Sequence, residues 1–481
     1  MGYYAIGIGG TGAKCLESLI HLAAAGMMPD GDLHLLFVDP DAGNGSRARV
    51  EETLAHYEAC KKQFDLGQTD LLKTKIDPAN PILWTPFKGA NPSLNRFFHY
   101  ENFRDSAAGK LFDVLYSRSE KESTLEEGFR GHPSIGSAVM AKTVDLEEDE
   151  TWSTFRKKIS SDDEGAKVFL AGSIFGGTGA SGFPTIAQIV KKELDVKLGG
   201  ALLLPYFKFD ETSDSELKAK SDEFLMNTQT ALKHYHIWNQ TGIYDAVYLF
   251  GDESRTDVES ALGGPKQRNA PHFIELYAAL AAIDFFGKNF DGSSGSQYFM
   301  TAREQSHQLK WTDLPDNNNG DTVRSRIGQL ARFAFAYLSV YNPALEKIAD
   351  HAKDAYRVPW YFDFFERRKI AIDRSSLNNL EKYCEDFLRW LANIQGNCSD
   401  SVAIKLIDYS TYAEKKSDSS LELKSRENFS NDPSHLIQSP TEAEFNVLHK
   451  LWERMCNSRN KGRDAQGIGK FIRALYENCA E

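Results

Sequence analysis

The sequence has few cysteines and no long apolar run. Its 481 residues include six cysteines, and no two of them form a CxxC pair. The sequence therefore indicates neither a zinc site nor a disulfide framework. No run of eighteen apolar residues is present, which argues against a membrane-spanning helix. We expect a soluble protein of the reducing cytoplasm, without a secretory signal and without insertion into a membrane.

An excess of positive charge is also lacking. Lysine and arginine total 56 against 68 acidic residues, which gives a formal net charge of -12. This balance argues against a general nucleic-acid binder and against a protein that binds anionic membranes. The length predicts two or three domains, with enough chain for a full hydrophobic core.

Glycine is concentrated after one short apolar run. Residues 168–171 are typical of a strand buried on both faces of a parallel sheet, and a helical pattern begins at about Pro184, which suits a first turn. The loop between them contains these glycine and hydroxyl residues: Gly176, Gly177, Thr178, Gly179, Ser181 and Gly182. Its backbone N–H groups can converge, and the helix N-terminus adds partial positive charge. The loop therefore favours phosphate binding; the alternative is a tight turn that binds nothing.

A second glycine loop follows the first predicted strand, residues 3–7. It is a formal GxGxxG, made of Gly7, Gly9, Gly10, Thr11 and Gly12. The strand at 33–38 ends at Asp39, as in a dinucleotide-binding βαβ unit where an acid holds a ribose hydroxyl. An NAD-dependent oxidoreductase is therefore one alternative, although it needs no second glycine loop. A Walker P-loop is excluded, because Ala13 and Cys15 replace its glycine and its hydroxyl residue.

Strand and helix patterns alternate over roughly the first 260 residues. This alternation predicts an α/β fold with a doubly wound parallel sheet. Residues 271–286 then form a helical pattern that is apolar almost all round, and such a helix must be buried. Asn269 is a candidate N-cap for it.

Five loops resemble the nucleotide loops of the tubulin/FtsZ superfamily of GTP-binding cytoskeletal proteins, in order and at comparable spacing. They are Gly7-Ile-Gly-Gly-Thr-Gly-Ala-Lys-Cys15, Asp39-Pro-Asp-Ala42, Gly131-His-Pro-Ser-Ile-Gly136, Phe175-Gly-Gly-Thr-Gly-Ala-Ser-Gly182 and Pro205-Tyr-Phe-Lys-Phe-Asp210. Lys14 stands where FtsZ-type members carry Asn, and Phe175 replaces the first glycine of the tubulin signature. The resemblance covers roughly residues 3–290 and is nearest to the divergent bacterial tubulin-like proteins.

The resemblance implies GTP or GDP as the ligand, with Mg²⁺. Glycine-loop amides hold the α- and β-phosphates, the loop from Arg130 to Gly136 reads the γ-phosphate, Asp41 lies near the metal and Asp210 near the ribose. On the central helix, Phe273 stacks on the base, and Glu275 or Tyr277 hydrogen-bonds to it. Guanine rather than adenine rests on the resemblance alone, and ordinary core aromatics remain the alternative for Phe273 and Tyr277. The implied nucleotide-binding set is Gly9, Gly10, Thr11, Gly12, Lys14, Asp39, Asp41, Arg130, Gly131, His132, Gly176, Gly177, Thr178, Gly179, Ser181, Asp210, Phe273, Glu275 and Tyr277.

The same resemblance implies a domain division and a polymer. Residues 1–268 form the nucleotide domain, 269–287 the central helix, 288–413 a smaller α+β domain, and 414–481 a polar loop with C-terminal helices. Family members assemble head to tail, and acids from one subunit orient the attacking water in the next. Here Asn289-Phe-Asp291 resembles the start of that Asn-x-Asp-x-x-Asp motif, but Ser294 replaces the second Asp.

Asp291 is therefore the single catalytic candidate, and a plain loop is the alternative. We expect filaments with slow or assembly-dependent GTP hydrolysis. The other interpretation is a nucleotide-binding scaffold that does not polymerise and acts through a separate protein partner.

Overall fold

The computed structural model describes most of the chain. The described residues are 2–64, 66–67, 69–86, 93–125, 128–129, 131–143, 149–162, 165–209, 221–239, 242–253, 255–258, 264–290, 295–301, 309–314, 321–350, 358–366, 370, 372–397, 406–416, 421–430, 436–437, 448–457 and 467–480. The strands are β1 (Gly2–Ile8), β2 (Asp32–Val38), β3 (Ile76–Trp84), β4 (Lys167–Ser173), β5 (Lys197–Leu203), β6 (Phe207–Phe209), β7 (Ala246–Phe250), β8 (Thr256–Val258), β9 (Gln297–Thr301), β10 (Ala413–Lys415) and β11 (Leu421–Leu423).

The helices connect and follow these strands. They are α1 (Gly9–Ala24), α2 (Gly45–Gln63), α3 (Leu94–Phe98), α4 (Ala107–Leu115), α5 (Arg118–Glu122), α6 (Pro133–Lys142), α7 (Glu150–Ser160), α8 (Gly177–Glu193), α9 (Ser221–Asn239), α10 (Phe273–Gly287), α11 (Asp321–Ala336), α12 (Asn342–Asp350), α13 (Pro359–Phe364), α14 (Arg374–Gly396), α15 (Leu448–Asn457) and α16 (Ile468–Asn478). A π-helical segment, Tyr337–Tyr341, joins α11 to α12. Within the described ranges, no helix has the length and apolar character needed to cross a membrane.

The main sheet is parallel throughout. Its described strands lie in the order β3-β2-β1-β4-β5-β7-β9, and each neighbouring pair is parallel. Parallel strands place all their carboxyl ends at one edge, so the loops after β1, β2 and β4 meet there. The sequence predicts this sheet but gives no signal for β3, whose Pro78 and Pro81 are typical of breaks in a strand. β3 lies at the edge of the sheet, where proline is tolerated.

Helices cover both faces of the sheet. Alternate residues of β1 enter two different cores: Tyr3 and Ala5 pack with α1, α2 and α10, whereas Tyr4 and Ile6 pack with α6, α7 and α8. The alternation follows from the two-residue period of a strand. The predicted doubly wound α/β fold is confirmed.

The central helix α10 is buried and is held at both ends. At its start, His272 is the N-cap and forms a capping box with Glu275, so the prediction that Asn269 caps this helix is wrong. At its end, Lys167 Nζ donates to the carbonyl oxygens of Phe286 and Lys288, each at 2.6 Å. Burial lowers the pKa of this lysine, and the two carbonyl groups satisfy its ammonium.

The chain beyond α10 differs from the sequence prediction in two places. β9 lies in the part of the chain assigned to the smaller α+β domain, but it pairs with β7 in the main sheet. The polar segment expected to be an exposed loop contributes the β10–β11 hairpin and buries Leu421, Leu436 and Ile437. Further along, α14 contacts the first half of the chain, where Trp390 Nε1 donates to Ser18 Oγ at 3.0 Å.

Candidate phosphate-binding site

Two glycine loops open directly into helices at the carboxyl edge of the sheet. α1 begins at Gly9 and α8 begins at Gly177, and neither helix has a side-chain cap at its N-terminus. Gly9 has a φ of 70°, a conformation that favours glycine. A Cβ on Gly9 would lie only 3.3 Å from the Cβ of Thr178. The first turns of the two helices are therefore in contact, with backbone N–H groups that no side chain caps.

A third helix N-terminus adjoins that of α8. α6 begins at Pro133, and its N-cap residue His132 makes no capping hydrogen bond with its side chain. A Cβ on Gly177 would lie 3.1 Å from the backbone nitrogen of Gly131 and 3.2 Å from that of His132. Each N-terminus carries roughly half a positive charge. Three of them at one place are suited to a ligand with several negative charges, such as a polyphosphate.

The steric need for glycine differs between positions in the two loops. A Cβ on Gly179 would lie 2.0 Å from the carbonyl oxygen of Ser173, and one on Gly12 would lie 2.5 Å from that of Ala171. Close packing of a helix on its strand requires glycine at these positions. A Cβ on Gly176, by contrast, would meet within 4 Å only the hydroxyl of Ser173, at 3.1 Å.

α8 starts earlier than the sequence predicts. Pro184 was expected in its first turn but lies inside the helix, where its missing N–H leaves the carbonyl of Ala180 without its usual donor. Tyr235 on α9 donates its hydroxyl to that carbonyl at 2.8 Å, which satisfies it. Within α8, Ser181 donates to the carbonyl of Gly177 at 2.7 Å and is fully buried, so its hydroxyl is directed into the helix.

The loop after β2 supplies two buried carboxylates. Asp39 accepts the backbone N–H of Asp41 at 3.0 Å, and burial raises the pKa of Asp39 to about 7. Asp41 accepts backbone N–H groups from Gly43 at 2.9 Å and from Gly264 at 2.7 Å, one on each oxygen. Asn44 also fixes the loop: it is the N-cap of α2, and its side-chain oxygen accepts backbone N–H groups of the first turn. An Asn directly before a helical pattern is the sequence signal that could have identified this N-cap.

Asp41 is the described carboxylate best placed for a metal ion. A Cβ on Gly128 would lie 4.0 Å from the Cβ of Asp41 and 3.9 Å from the hydroxyl of Thr178, so Asp41 borders the phosphate loops. Mg²⁺ commonly uses one or two carboxylates together with phosphates and water, and Asp41 fits that demand. Among the described residues, no group of three or more His, Cys, Asp or Glu forms a metal cage.

Lys14 and Glu275 form a buried ion pair between α1 and α10. Lys14 Nζ contacts Glu275 Oε1 and lies 3.4 Å from the hydroxyl of Tyr206. Tyr206 in turn donates to Glu275 Oε1 at 2.5 Å, and the other carboxylate oxygen accepts the backbone N–H of His272 at 2.8 Å. Lys14 is 4% exposed and Glu275 is 0% exposed. Lys14 and Glu275, which the resemblance assigns to the nucleotide, thus bind to groups within the protein.

The two aromatic residues assigned to the base are also buried. Phe273 packs on His272, with ring centroids 4.6 Å apart, and the hydroxyl of Tyr277 donates to the carbonyl of Asp313 at 3.1 Å. These contacts are those of core aromatics, which is the alternative that the sequence left open. A base that contacted Phe273, Glu275 or Tyr277 would have to displace existing contacts.

The structure brings together only part of the predicted site. The contacts of the described cradle join Gly9, Asp41, Gly131, His132, Gly177 and Thr178, and Gly10, Thr11 and Gly176 stand next to them in the chain. His132 also lies 3.5 Å from Glu120 through Nδ1. Arg130, Asp210 and Asp291 lie outside the described residues. Sequence reasoning missed Asn227 on α9, which contacts two of the loops and belongs to no motif.

No protein-family model matches the chain, and no curated protein matches it. Among solved structures it is similar to CetZ2 from Haloferax volcanii, a GTPgS-bound protofilament, at 15% identity over 62% of this chain and 64% of that chain, with a TM-score of 0.31. It is also similar to CetZ1 from Haloferax volcanii, a GDP-bound monomer, at 12% identity over 61% and 62%, with a TM-score of 0.30. Both matches span less than two thirds of the other chain.

The sheet domain has a doubly wound α/β fold. The glycine loops follow β1 and β4 at one edge of a doubly wound parallel sheet, and a buried central helix follows the nucleotide-loop motifs in the chain. This is the arrangement that the tubulin-like motifs predict.

Proposed function

We propose that this chain is a tubulin-like protein that binds GTP and GDP with Mg²⁺ and assembles head to tail into filaments. The observation that supports it best is the convergence of three helix N-termini without side-chain caps, those of α1, α6 and α8. The first N–H groups of a helix have no acceptor within the helix itself, and an oligophosphate accepts several such groups at once. A dinucleotide-dependent oxidoreductase would use the first loop and Asp39 but would leave the second cradle without a role.

Different described residues bind different parts of the nucleotide. First-turn amides of α1 and α8 hold the α- and β-phosphates, and the loop at Gly131 and His132 receives the γ-phosphate. Asp41 holds Mg²⁺, directly or through water. When bound, Mg²⁺ neutralises phosphate charge. Any phosphate transfer rests on positioning and charge stabilisation rather than on covalent chemistry.

Assembly, rather than rapid catalysis, is the proposed output. The phosphate loops are nearly complete in sequence, whereas the candidate catalytic loop retains Asp291 and carries Ser294 in place of the second acid. A site that binds ground and transition states equally gains no rate. A head-to-tail contact that does not close on itself produces a filament, so filaments should persist with GTP.

Identification of the bound molecule tests this proposal first. Purified protein is denatured, and the released small molecules are separated by chromatography and identified. Guanine nucleotides are expected. An absorbance scan that instead reveals a nicotinamide cofactor, or a protein that carries and binds no nucleotide at all, contradicts the proposal.

Light scattering tests assembly separately. Scattering should rise with protein concentration in the presence of GTP and Mg²⁺ and should persist with a non-hydrolysable analogue. Tight nucleotide binding without nucleotide-dependent scattering refutes the filament and supports a scaffold that acts through a partner protein.

A further inference from the structure

One side chain outside the nucleotide motifs joins two of the phosphate loops. Asn227 lies on α9 and is half-buried. Its amide nitrogen donates to the carbonyl oxygen of Gly131 and to that of Phe175, each at 3.3 Å. An Asn amide has two N–H donors, so each carbonyl can receive its own hydrogen. The two carbonyls belong to the loop before α6 and to the loop before α8.

These carbonyls set the orientation of groups in the cradle. In a planar trans peptide the C=O and the following N–H point in opposite directions. Fixing the carbonyl of Phe175 towards Asn227 therefore turns the N–H of Gly176 away from α9. Fixing the carbonyl of Gly131 likewise sets the tilt of the peptide that leads into His132, the N-cap of α6.

The spacing between the two loops is already tight. A Cβ on Gly177 would lie 2.8 Å from the Cβ of Phe129, besides its approach to the nitrogens of Gly131 and His132. Because the loops touch where glycine leaves room, a small shift of either loop changes the space between the helix N-termini. A clamp on both backbones therefore controls the shape of the site.

We propose that Asn227 is a positioning residue for the terminal phosphate. It holds the loop at Gly131 against the N-terminus of α8, and the preference for a triphosphate over a diphosphate depends on this clamp. The proposal rests on the proposed nucleotide function and adds a residue that acts through the two loops rather than by touching the ligand.

The test compares three variants with the wild-type protein. Asn227→Asp keeps the shape but replaces both donors with an acceptor that faces two carbonyl oxygens, and Asn227→Ala removes the side chain. Gln229→Ala is the matched control, because it removes an amide from an exposed position of the same helix. Dissociation constants for GTP and GDP with Mg²⁺ are measured for each. The GTP affinity should fall about tenfold in both Asn227 variants, with a much smaller change for GDP, and Gln229→Ala should match the wild type.

A second readout separates positioning from folding. Amide hydrogen exchange should become faster at residues 131–132 and 175–179 in the Asn227 variants. The circular dichroism spectrum and the exchange rates of amides in the core of the sheet should stay as in the wild type. An unchanged ratio of GTP to GDP affinity in folded Asn227→Asp overturns the inference, as does unchanged exchange at these loops. If the wild-type protein binds neither nucleotide, the proposed function itself fails, and the role of Asn227 fails with it.

Discussion

The buried pair of Lys14 and Glu275 makes a quantitative prediction about stability. Lys14→Met removes the cation and leaves the Glu275 carboxylate buried at 0% exposure. Breaking one half of a buried ion pair costs about 3–5 kcal/mol, because the remaining charge is desolvated and uncompensated. The free energy of unfolding should fall by that amount.

The double variant Lys14→Met/Glu275→Gln should recover most of the loss. It removes both charges, while the amide oxygen of Gln can still accept the hydroxyl of Tyr206 at the position of Glu275 Oε1. Neutral replacements of buried ion pairs are often tolerated, so the two changes should be strongly non-additive, with a coupling of about 2 kcal/mol or more. Lys73→Met is the control, because its partner Asp30 is 88% exposed, and no measurable loss is expected there.

Urea unfolding at pH 7, followed by circular dichroism, measures these effects. Additive losses in the double variant would refute the buried pair. The same proteins also test the role of Lys14 in ligand binding. If Lys14 acts only through Glu275, the double variant should bind GTP as the wild type does; a folded double variant without GTP affinity would mean that Lys14 contacts the nucleotide.

Four further measurements probe other parts of the molecule. Gly179→Ala should lower the unfolding temperature, because its Cβ would lie 2.0 Å from the carbonyl oxygen of Ser173; an unchanged unfolding curve would contradict that contact. Burial lowers the pKa of His21 to about 4, so the folded protein holds it neutral while the unfolded chain binds a proton below about pH 6.5. The neutral state of His21 therefore contributes stability on the order of 3 kcal/mol above pH 6.5, and this contribution is lost as the pH falls to 4. In His21→Leu, the urea midpoint should depend less on pH across that range than it does in the wild type. Arg130→Ala should reduce the ratio of GTP to GDP affinity, since Arg suits spread phosphate charge; an unaltered ratio removes this residue from the γ-phosphate site. Phosphate release, if present, should rise faster than linearly with protein concentration, and strict proportionality would mean that a monomer acts alone.

Local patterns in the sequence determined much of the sheet domain. Buried parallel strands are continuous apolar runs, and the turns between strand and helix that lie closest to the sheet require glycine. For that reason β1, β2, β4 and α10 could be predicted within a few residues, and so could the position of the glycine loops. The residues of these loops lie close together in the chain, so their spacing alone indicates a cradle.

Other features depend on residues that are distant in sequence. The prolines of β3 are compatible with a strand only because β3 lies at the edge of the sheet. Pro184 is compatible with a helix interior because Tyr235 supplies the donor that Ala180 lacks. Neither condition can be seen in the local sequence.

The polar network of the candidate site was decided entirely by tertiary structure. The resemblance assigns Lys14 and Glu275 to a nucleotide, and only the fold shows that they lie beside each other. Asn227 stands in no motif, yet it reaches two loops at once. A hydrogen bond or an ion pair forms only where the chain brings two groups within about 3 Å, and no one-dimensional pattern specifies that distance.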